Sequence, residues 1–239
     1  MKIAKVTCWR LRVPTTFPLL KETFYYFAEF VEVETDNGLK GHAMVAFPIK
    51  WGIREYINHE VAPNIIGMDP MRTEDVQTNL FWTLSPRYFS GIWNCSASLI
   101  DIALWDIKGK ATGQPVWKLL GGARSRVPAY ISLVSRYSQE ELAECAKMMV
   151  ADGHDKLKIE LGKESSVYSY ESHGLTTDED INRDAGWVCA VRDAVGDKVA
   201  LMIDGNQKYS YTQALRMAKL VEPYNVTFFE DAGSIHHPR

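Results

Sequence analysis

The chain has 239 residues, of which 46% are hydrophobic, so it has enough apolar material for one large or two modest domain cores and too much for a disordered protein. Its formal net charge is −3, and no basic stripe is present to neutralise phosphates, so we expect no nucleic-acid partner and no membrane-surface role. The four cysteines lack CxxC and zinc-ligand spacing, and we find neither a signal-peptide pattern nor a membrane-span pattern, so we expect a reduced, cytoplasmic protein.

The N-terminal part reads as strands followed by helices. Residues 2–13 and 24–45 alternate as half-buried strands do, and the DNG sequence at 36–38 is a strong hairpin signal. From Trp51 to about Gly122, apolar residues recur at helical spacing. We therefore predict an α+β domain at residues 1–125, with a three-stranded antiparallel sheet followed by helices.

The remaining part, residues 126–239, alternates strands with helices. Strand patterns occur in VPAYISLV, DKLKIEL, KVALMIDGN and NVTFFED. The helices between them carry capping signals, with Ser138 and Glu141 at capping-box spacing before one helix and Thr176 and Glu179 before another. This βαβαβαβ order predicts parallel strands joined by crossover helices.

Charged side chains gather where these parallel strands are predicted to end. Lys156 and Lys158 lie two apart on the second strand, Asp204 and Asn206 close the third, and Glu230 closes the fourth. Side chains two apart on a strand share a face, and the carboxyl ends of parallel strands meet at one edge. We therefore expect both lysines and at least two carboxylates to converge in one pocket.

Two interpretations of this pocket remain open from the residues alone. Carboxylate oxygens from separate strands suit Mg²⁺, and a lysine beside a cation and a second lysine has a lowered pKa, which suits a general base. The same side chains could instead form structural ion pairs at a barrel rim. Asp204 could also cap the next helix, and Asn206 could serve a turn.

The order of these motifs resembles the enolase superfamily, and within it the mandelate racemase/muconate lactonising enzyme group. The resemblance is carried by SASLIDIALWDIKGKATGQPVWKLLGG, by the KxK motif of DKLKIELG, by MIDGNQ and by FFED. It implies an α+β capping domain over a TIM-type (β/α) barrel, of which about four β/α units are present here. It further implies Mg²⁺ held by Asp204, Glu230 and a third acid on a later strand. Lys158 would then be the base that removes the proton α to a carboxylate, giving an enediolate, with Lys156 beside the substrate carboxylate and Asn206 as a secondary polar contact.

The sequence also departs from this family pattern. The third metal ligand and the second acid/base group would follow the fourth strand, and the chain ends at Arg239 before them. His236 and His237 are expected to be exposed tail residues and not the missing catalytic histidine. We therefore expect the chain to cover roughly the first two-thirds of a family member, as a fragment, as one subunit of a split barrel or as a half barrel that pairs with another.

The substrate prediction depends on the expected specificity loops. Thr15, Lys21 and Trp51 are predicted to contact the substrate, and the polar segment between the second strand and its helix is predicted to form a hydroxyl-rich lid. A polar lid fits a sugar acid, so the first hypothesis is a Mg²⁺-dependent lyase that dehydrates a sugar acid. A racemase, epimerase or cycloisomerase of the same superfamily, and a non-catalytic truncated member or split-barrel subunit, are the alternatives. The expected partners are a small-molecule carboxylate and either further copies of the chain, in a homo-oligomer, or a complementing chain.

Overall fold

A computed structural model describes most of the chain, and the helices in its described part include none with the length and apolar character needed to cross a bilayer. The described residues are 1–46, 52–84, 91–134, 137–162 and 178–233.

The chain divides into two compact units. Unit 1 comprises Met1–Phe17 and Lys21–Arg126, and unit 2 comprises Pro18–Leu20 and Val127–Arg239. Each unit has its own secondary structure and buried core, and the two are described in turn.

The sheet of unit 1 is antiparallel and has three strands in chain order. These are β1 (Ile3–Thr15), β2 (Phe24–Thr35) and β3 (Lys40–Val45). The turn between β2 and β3 contains Gly38 with φ +83°, a left-handed conformation that glycine adopts without steric cost. The hairpin predicted from the DNG sequence is therefore confirmed.

Helices follow the sheet in unit 1, as predicted. They are α1 (Ile53–Tyr56), a π-helical turn (Ile57–Val61), α2 (Ala62–Ile65), α3 (Thr73–Leu84), α4 (Ile92–Thr112) and α5 (Val116–Leu119). The long helix α4 ends at Gly113, whose φ of +64° gives the left-handed cap expected of a glycine at this position.

The core of unit 1 lies between the sheet and α4. Buried residues of the strands, such as Val31 and Val33, share one hydrophobic cluster with Ile107 of α4. The closest approach is at Gly41 of β3, where an added Cβ would lie 2.0 Å from the carbonyl oxygen of Ala103 on α4. Close packing of helix on strand therefore requires glycine at position 41.

The outer edge of β1 is held by groups outside the sheet. The side chain of Asn58, in the π-helical turn, accepts a hydrogen bond from the backbone N–H of Cys8 (2.8 Å) and donates one to its carbonyl oxygen (3.0 Å). At the start of the strand, the Ile3 N–H donates to the Met68 carbonyl and the Ile3 carbonyl accepts from the Gly67 N–H. These bonds fix the helical segments of unit 1 against its first strand.

The sheet of unit 2 is parallel, as predicted, with strands in the order β4-β5-β6-β7. The strands are β4 (Ile131–Leu133), β5 (Lys156–Glu160), β6 (Ala200–Asp204) and β7 (Val226–Glu230). One detail of the prediction is wrong: Lys156 opens β5, and the strand continues two residues beyond Lys158 because Glu160 still pairs with Asp204.

Crossover helices connect these strands: α6 (Gln139–Ala151), α7 (Asp178–Val195) and α8 (Tyr211–Val221). The capping box predicted at Ser138 before α6 is confirmed, whereas Thr176 lies outside the described residues. The helix α8 ends at Val221, and the chain then tightens into a 3₁₀ turn (Glu222–Tyr224). Pro223 explains the change, since proline has no N–H to continue an α-helical ladder.

A buried arginine fixes the connections that precede β6 and β7. Arg192 of α7 is 5% exposed, and its guanidinium donates hydrogen bonds to the carbonyl oxygens of Gly196 (2.7 Å), Val199 (2.8 Å), Tyr224 (3.0 Å) and Asn225 (3.3 Å). The planar guanidinium can satisfy several acceptors at once. It therefore ties the segment leading into β6 to the turn leading into β7.

Candidate active site

A row of charged side chains in unit 2 begins on β5. Lys156, Lys158 and Glu160 alternate along the strand and share one face, while Leu157 and Ile159 point to the other face and are fully buried. Neighbouring β6 places Asp204 beside Glu160 in the parallel register, and β7 places Glu230 beside Asp204.

Lys158 lies between the two carboxylates at these strand ends. Its ammonium group donates a hydrogen bond to Asp204 Oδ2 (2.8 Å) and another to Glu230 Oε2 (2.7 Å). The side chains of Lys158 and Asp204 are only 10% and 12% exposed, whereas that of Glu230 is 40% exposed. Three adjacent strands therefore form a charge cluster that is buried at Lys158 and Asp204 and open to solvent at Glu230. The structure thus brings together three of the predicted site residues.

The electrostatics of this cluster differ from the sequence expectation. Burial alone lowers the pKa of Lys158, but the hydrogen bonds and negative charges of Asp204 and Glu230 outweigh it and leave the pKa raised. The sequence-based expectation of a lowered pKa depended on a positively charged neighbour. Lys156, the expected neighbour, instead directs its ammonium group to Asp155 Oδ1 at 2.6 Å.

The loop after β6 has an unusual backbone. Asn206 and Gln207 have φ values of +49° and +59°, a region that non-glycine residues rarely occupy. The Asn206 N–H donates to Asp204 Oδ1 (2.9 Å), and its side-chain amide donates to Glu160 Oε1 (3.2 Å). Asn206 therefore serves a turn, and the helix that follows is capped by Ser210 and not by Asp204.

Sequence reasoning did not single out three residues that border this cluster. Glu160 contacts Asn206, and the ring of Tyr130 lies 5.5 Å from the ammonium nitrogen of Lys158. Phe228 of β7 packs edge-on against Tyr130, with ring centroids 6.0 Å apart. The alternation of side chains along the strands could have revealed two of them. Glu160 lies on the same face of β5 as Lys156 and Lys158, and Phe228 lies two residues before Glu230, on the same face of β7.

The remaining predicted residues lie elsewhere. Thr15 is half-buried at the end of β1 and Lys21 is exposed before β2, both in unit 1. Trp51, most of the predicted lid (163–177) and the two tail histidines lie outside the described residues.

The donor set tests whether a cation fits. Among the described residues, no three His, Cys, Asp or Glu side chains are grouped to hold a metal ion. Asp204 and Glu230 nevertheless converge on one positively charged nitrogen, so the pair already accommodates a cation. Mg²⁺ binds through one or two carboxylates together with water and substrate oxygens. The two residues therefore fit as two ligands of such an ion.

Comparison with family models places this arrangement in a known family. The model of the mandelate racemase/muconate lactonizing enzyme N-terminal domain matches residues 21–121, and the enolase C-terminal domain-like model matches residues 141–238. The chain belongs to the mandelate racemase/muconate lactonizing enzyme group of the enolase superfamily. The predicted fold class is confirmed: an α+β cap is followed by part of a (β/α) barrel.

Relatives within this superfamily include sugar-acid enzymes. The chain is 33% identical over 175 residues to L-talarate/galactarate dehydratase of Salmonella typhimurium, covering 72% of this chain and 40% of the relative. It is 31% identical to D-galactonate dehydratase of Klebsiella pneumoniae, covering 97% of this chain and 55% of the relative. The crystal structure of 3,6-anhydro-D-galactonate cycloisomerase from Zobellia galactanivorans superposes with a TM-score of 0.80 at 27% identity, covering 98% of this chain and 59% of that protein. The chain thus spans about half the length of the relatives it matches.

Proposed function

We propose that unit 2 carries part of a Mg²⁺-dependent site that removes the proton α to a carboxylate, and that the reaction is the dehydration of a sugar acid. The observation that supports it is the position of Lys158 between Asp204 and Glu230. A base for a carbon acid must lie next to the groups that bind the substrate carboxylate, and these three side chains come from adjacent strand ends.

The proposed roles follow from the chemistry of each side chain. Asp204 and Glu230 hold Mg²⁺, which when bound offsets the negative charge that develops on the substrate carboxylate. Lys158 Nζ accepts the α-proton, which requires the lysine to be neutral and released from its hydrogen bonds to both carboxylates. Lys156 provides positive charge beside the substrate carboxylate. Asn206, oriented by Glu160, contacts a substrate hydroxyl.

The substrate class rests on the relatives. The two dehydratases named above act, by their names, on acids derived from sugars. Thr15, Lys21 and Trp51 are the proposed contacts for the distal part of the substrate. A homo-oligomer or a complementing chain is the proposed source of any further site residues.

A second candidate is isomerisation. The similar fold of a cycloisomerase supports it, and racemases and epimerases of the superfamily form part of the same alternative. Lys158 would abstract the same α-proton in either case, so the residues of β5 do not distinguish loss of water from return of the proton.

The test is exchange of the α-hydrogen of sugar acids in D₂O with Mg²⁺, followed by NMR and mass spectrometry. We expect exchange or turnover with at least one acid, and dehydration would also release a keto acid detectable with semicarbazide. Exchange without a keto acid would instead support the isomerase.

The controls are two lysine variants. Lys158→Ala should abolish exchange, whereas Lys147→Ala, at an exposed lysine paired with Glu144, should leave it unchanged. Exchange that survives in Lys158→Ala would overturn the assignment of the base. A lack of exchange with every acid would count against catalysis by this chain and would support the non-catalytic or split-barrel alternative.

A further inference from the structure

A buried carboxylate in unit 2 lies outside the proposed site. Asp184 of α7 is 5% exposed. Its Oδ2 atom accepts two hydrogen bonds, one from the backbone N–H of Gly162 (3.1 Å) and one from the hydroxyl of Tyr209 (2.5 Å). Tyr209 is itself fully buried. The proposed chemistry uses neither side chain.

Burial of this pair is unfavourable unless the hydrogen bonds persist. Desolvation raises the pKa of Asp184, although the Tyr209 and Gly162 hydrogen bonds oppose it. Desolvation and the neighbouring Asp184 raise the pKa of Tyr209, so its hydroxyl remains a donor. A buried polar group that loses its partner is penalised strongly, so a fully paired network holds its members in one arrangement.

The two donors come from different strand ends. Gly162 follows β5 and Lys158, and Tyr209 lies in the loop that follows β6 and Asp204. Lys208, next to Tyr209, also donates to the Leu161 carbonyl (3.3 Å). The Asp184 carboxylate therefore joins the chain segments that leave β5 and β6.

Tyr209 extends the connection to β7, the strand that carries Glu230. Its ring packs against Phe229 of β7, with centroids 6.1 Å apart and planes at 72°. Phe229 directly precedes Glu230, whose carbonyl oxygen accepts the Gly205 N–H (2.9 Å). One buried pair thus contacts segments next to each of the three residues of the Lys158–Asp204–Glu230 cluster.

The loop between Asp204 and Tyr209 contains strained backbone that its surroundings must stabilise. Asn206 and Gln207 occupy left-handed conformations, which persist in proteins only where the surroundings impose them. We infer that Asp184 and Tyr209 are positioning residues that set the relative placement of Lys158, Asp204 and Glu230 through the strand-end backbone. This positioning role rests on the proposed function in one respect: the placement of the three side chains matters for catalysis only if they form the proposed active site.

The test reads the geometry of the cluster directly. In lysine-selectively ¹⁵N-labelled protein, the ammonium resonance of Lys158, assigned with Lys158→Arg, reports on its two hydrogen bonds. Tyr209→Phe removes the hydroxyl and keeps the ring on Phe229, and Asp184→Leu removes the acceptor. We expect both variants to move the Lys158 resonance. Asp184→Leu should also speed amide exchange at Gly162 roughly tenfold, because one hydrogen bond to a charged group is lost.

Matched variants separate positioning from stability. Asp184→Asn keeps an acceptor oxygen, so the Lys158 resonance of this variant should lie close to its wild-type position. Val191→Ala, at a buried apolar residue of the same helix, should lower stability and leave the resonance in place. If Asp184→Leu does not fold, Tyr209→Phe carries the test alone.

The outcomes distinguish this inference from the proposed function. A Lys158 resonance that stays unchanged in folded Tyr209→Phe and folded Asp184→Leu would overturn the positioning role, even if α-proton exchange is observed. A resonance that moves in a protein without exchange activity would support the positioning role and count only against the proposed function. In a protein with exchange activity, Tyr209→Phe should lower kcat while KM changes little, because the pair touches no substrate.

Discussion

The ammonium group of Lys158 pairs with two carboxylates and should weaken the binding of a metal ion to them. The ammonium group occupies the position between Asp204 and Glu230 at 2.8 Å and 2.7 Å. Any divalent cation that uses both carboxylates therefore competes with hydrogen bonds to a charged donor, which contribute about 1.5–3 kcal/mol each.

Replacing this lysine should strengthen metal binding. We expect Lys158→Met to bind Mg²⁺ at least about tenfold more tightly than the wild type, because both carboxylates lose their shared cationic partner and one competing charged hydrogen bond corresponds to at least that factor. Isothermal titration calorimetry measures the change. The matched control is Lys156→Met, since Lys156 is paired with Asp155 and its loss should alter the affinity little. Equal affinities of wild type and Lys158→Met would contradict the competition.

Glu29 in unit 1 should make stability depend on pH. It is 6% exposed, and burial raises its pKa, although Arg10 opposes the shift. The folded state therefore holds this proton more tightly than the unfolded state, and the resulting stabilisation is lost as pH rises through the raised pKa. We expect the stability of Glu29→Gln relative to the wild type to increase as pH rises above about pH 4, where the unfolded carboxyl group begins to lose its proton.

Urea unfolding at several pH values measures this difference. Glu34→Gln is the control, because Glu34 lies on the same strand but is only half-buried. Parallel pH profiles for the wild type and Glu29→Gln would show that Glu29 titrates alike in both states, against the expectation.

At the scale of single residues, alternation along the strands was enough to predict that Lys158, Asp204 and Glu230 converge. It could not predict that Lys156 turns to Asp155. A long lysine side chain has many accessible rotamers, and the choice depends on the nearest available carboxylate. The Asp184–Tyr209 pair could not be predicted from the sequence either. The two residues are 25 positions apart, and their side chains meet only when the unit is folded.

At the scale of elements, sequence motifs predicted those features that depend only on neighbouring residues in the chain. The Ser138 capping box depends on residues within one turn, and it is confirmed. The π-helical turn was not predicted, because its Asn58 bonds to a strand 50 residues earlier in the chain. Long-range contacts of this kind leave no periodic pattern.

The contact between β3 and α4 gives a sharp test of helix packing. An added methyl group at Gly41 would overlap the Ala103 carbonyl, which is rigid backbone. We expect Gly41→Ala to destabilise unit 1 by about 2 kcal/mol or more, because overpacking forces the helix and strand apart. Chemical denaturation with circular dichroism measures the loss.

Gly186 on α7 provides the matched substitution. An added Cβ there meets only the Gln139 side chain, at 3.6 Å, and alanine favours the helix by up to about 1 kcal/mol. Gly186→Ala should therefore be neutral or stabilising. A destabilisation equal to that of Gly41→Ala would mean that loss of glycine, and not the close contact, determines the effect.

At the scale of the whole molecule, the proposed site links metal binding to stability. A cation that binds the folded chain alone raises the free energy of unfolding by about 1.4 kcal/mol at ten times its Kd. We expect Mg²⁺ to raise the melting temperature in a dose-dependent way, and EDTA to reverse the rise. Differential scanning fluorimetry measures it.

The control for this linkage is Asp204→Asn, which removes one proposed ligand and should suppress the Mg²⁺ effect. Ca²⁺ and Na⁺ at matched ionic strength distinguish specific binding from charge screening. A melting temperature that rises equally in Asp204→Asn would place the stabilising cation elsewhere on the molecule.

The bonds along the outer edge of β1 bear on how copies of the chain behave when crowded. A 13-residue strand at the side of a sheet is a template on which a foreign strand can add and begin fibril growth. Here Asn58 occupies the donor and acceptor of Cys8, and residues 67 and 68 occupy those of Ile3. Pro14 offers no donor near the far end. The outer edge of β1 is therefore interrupted at Ile3 and at Cys8, which limits the length of a foreign strand that can pair with it.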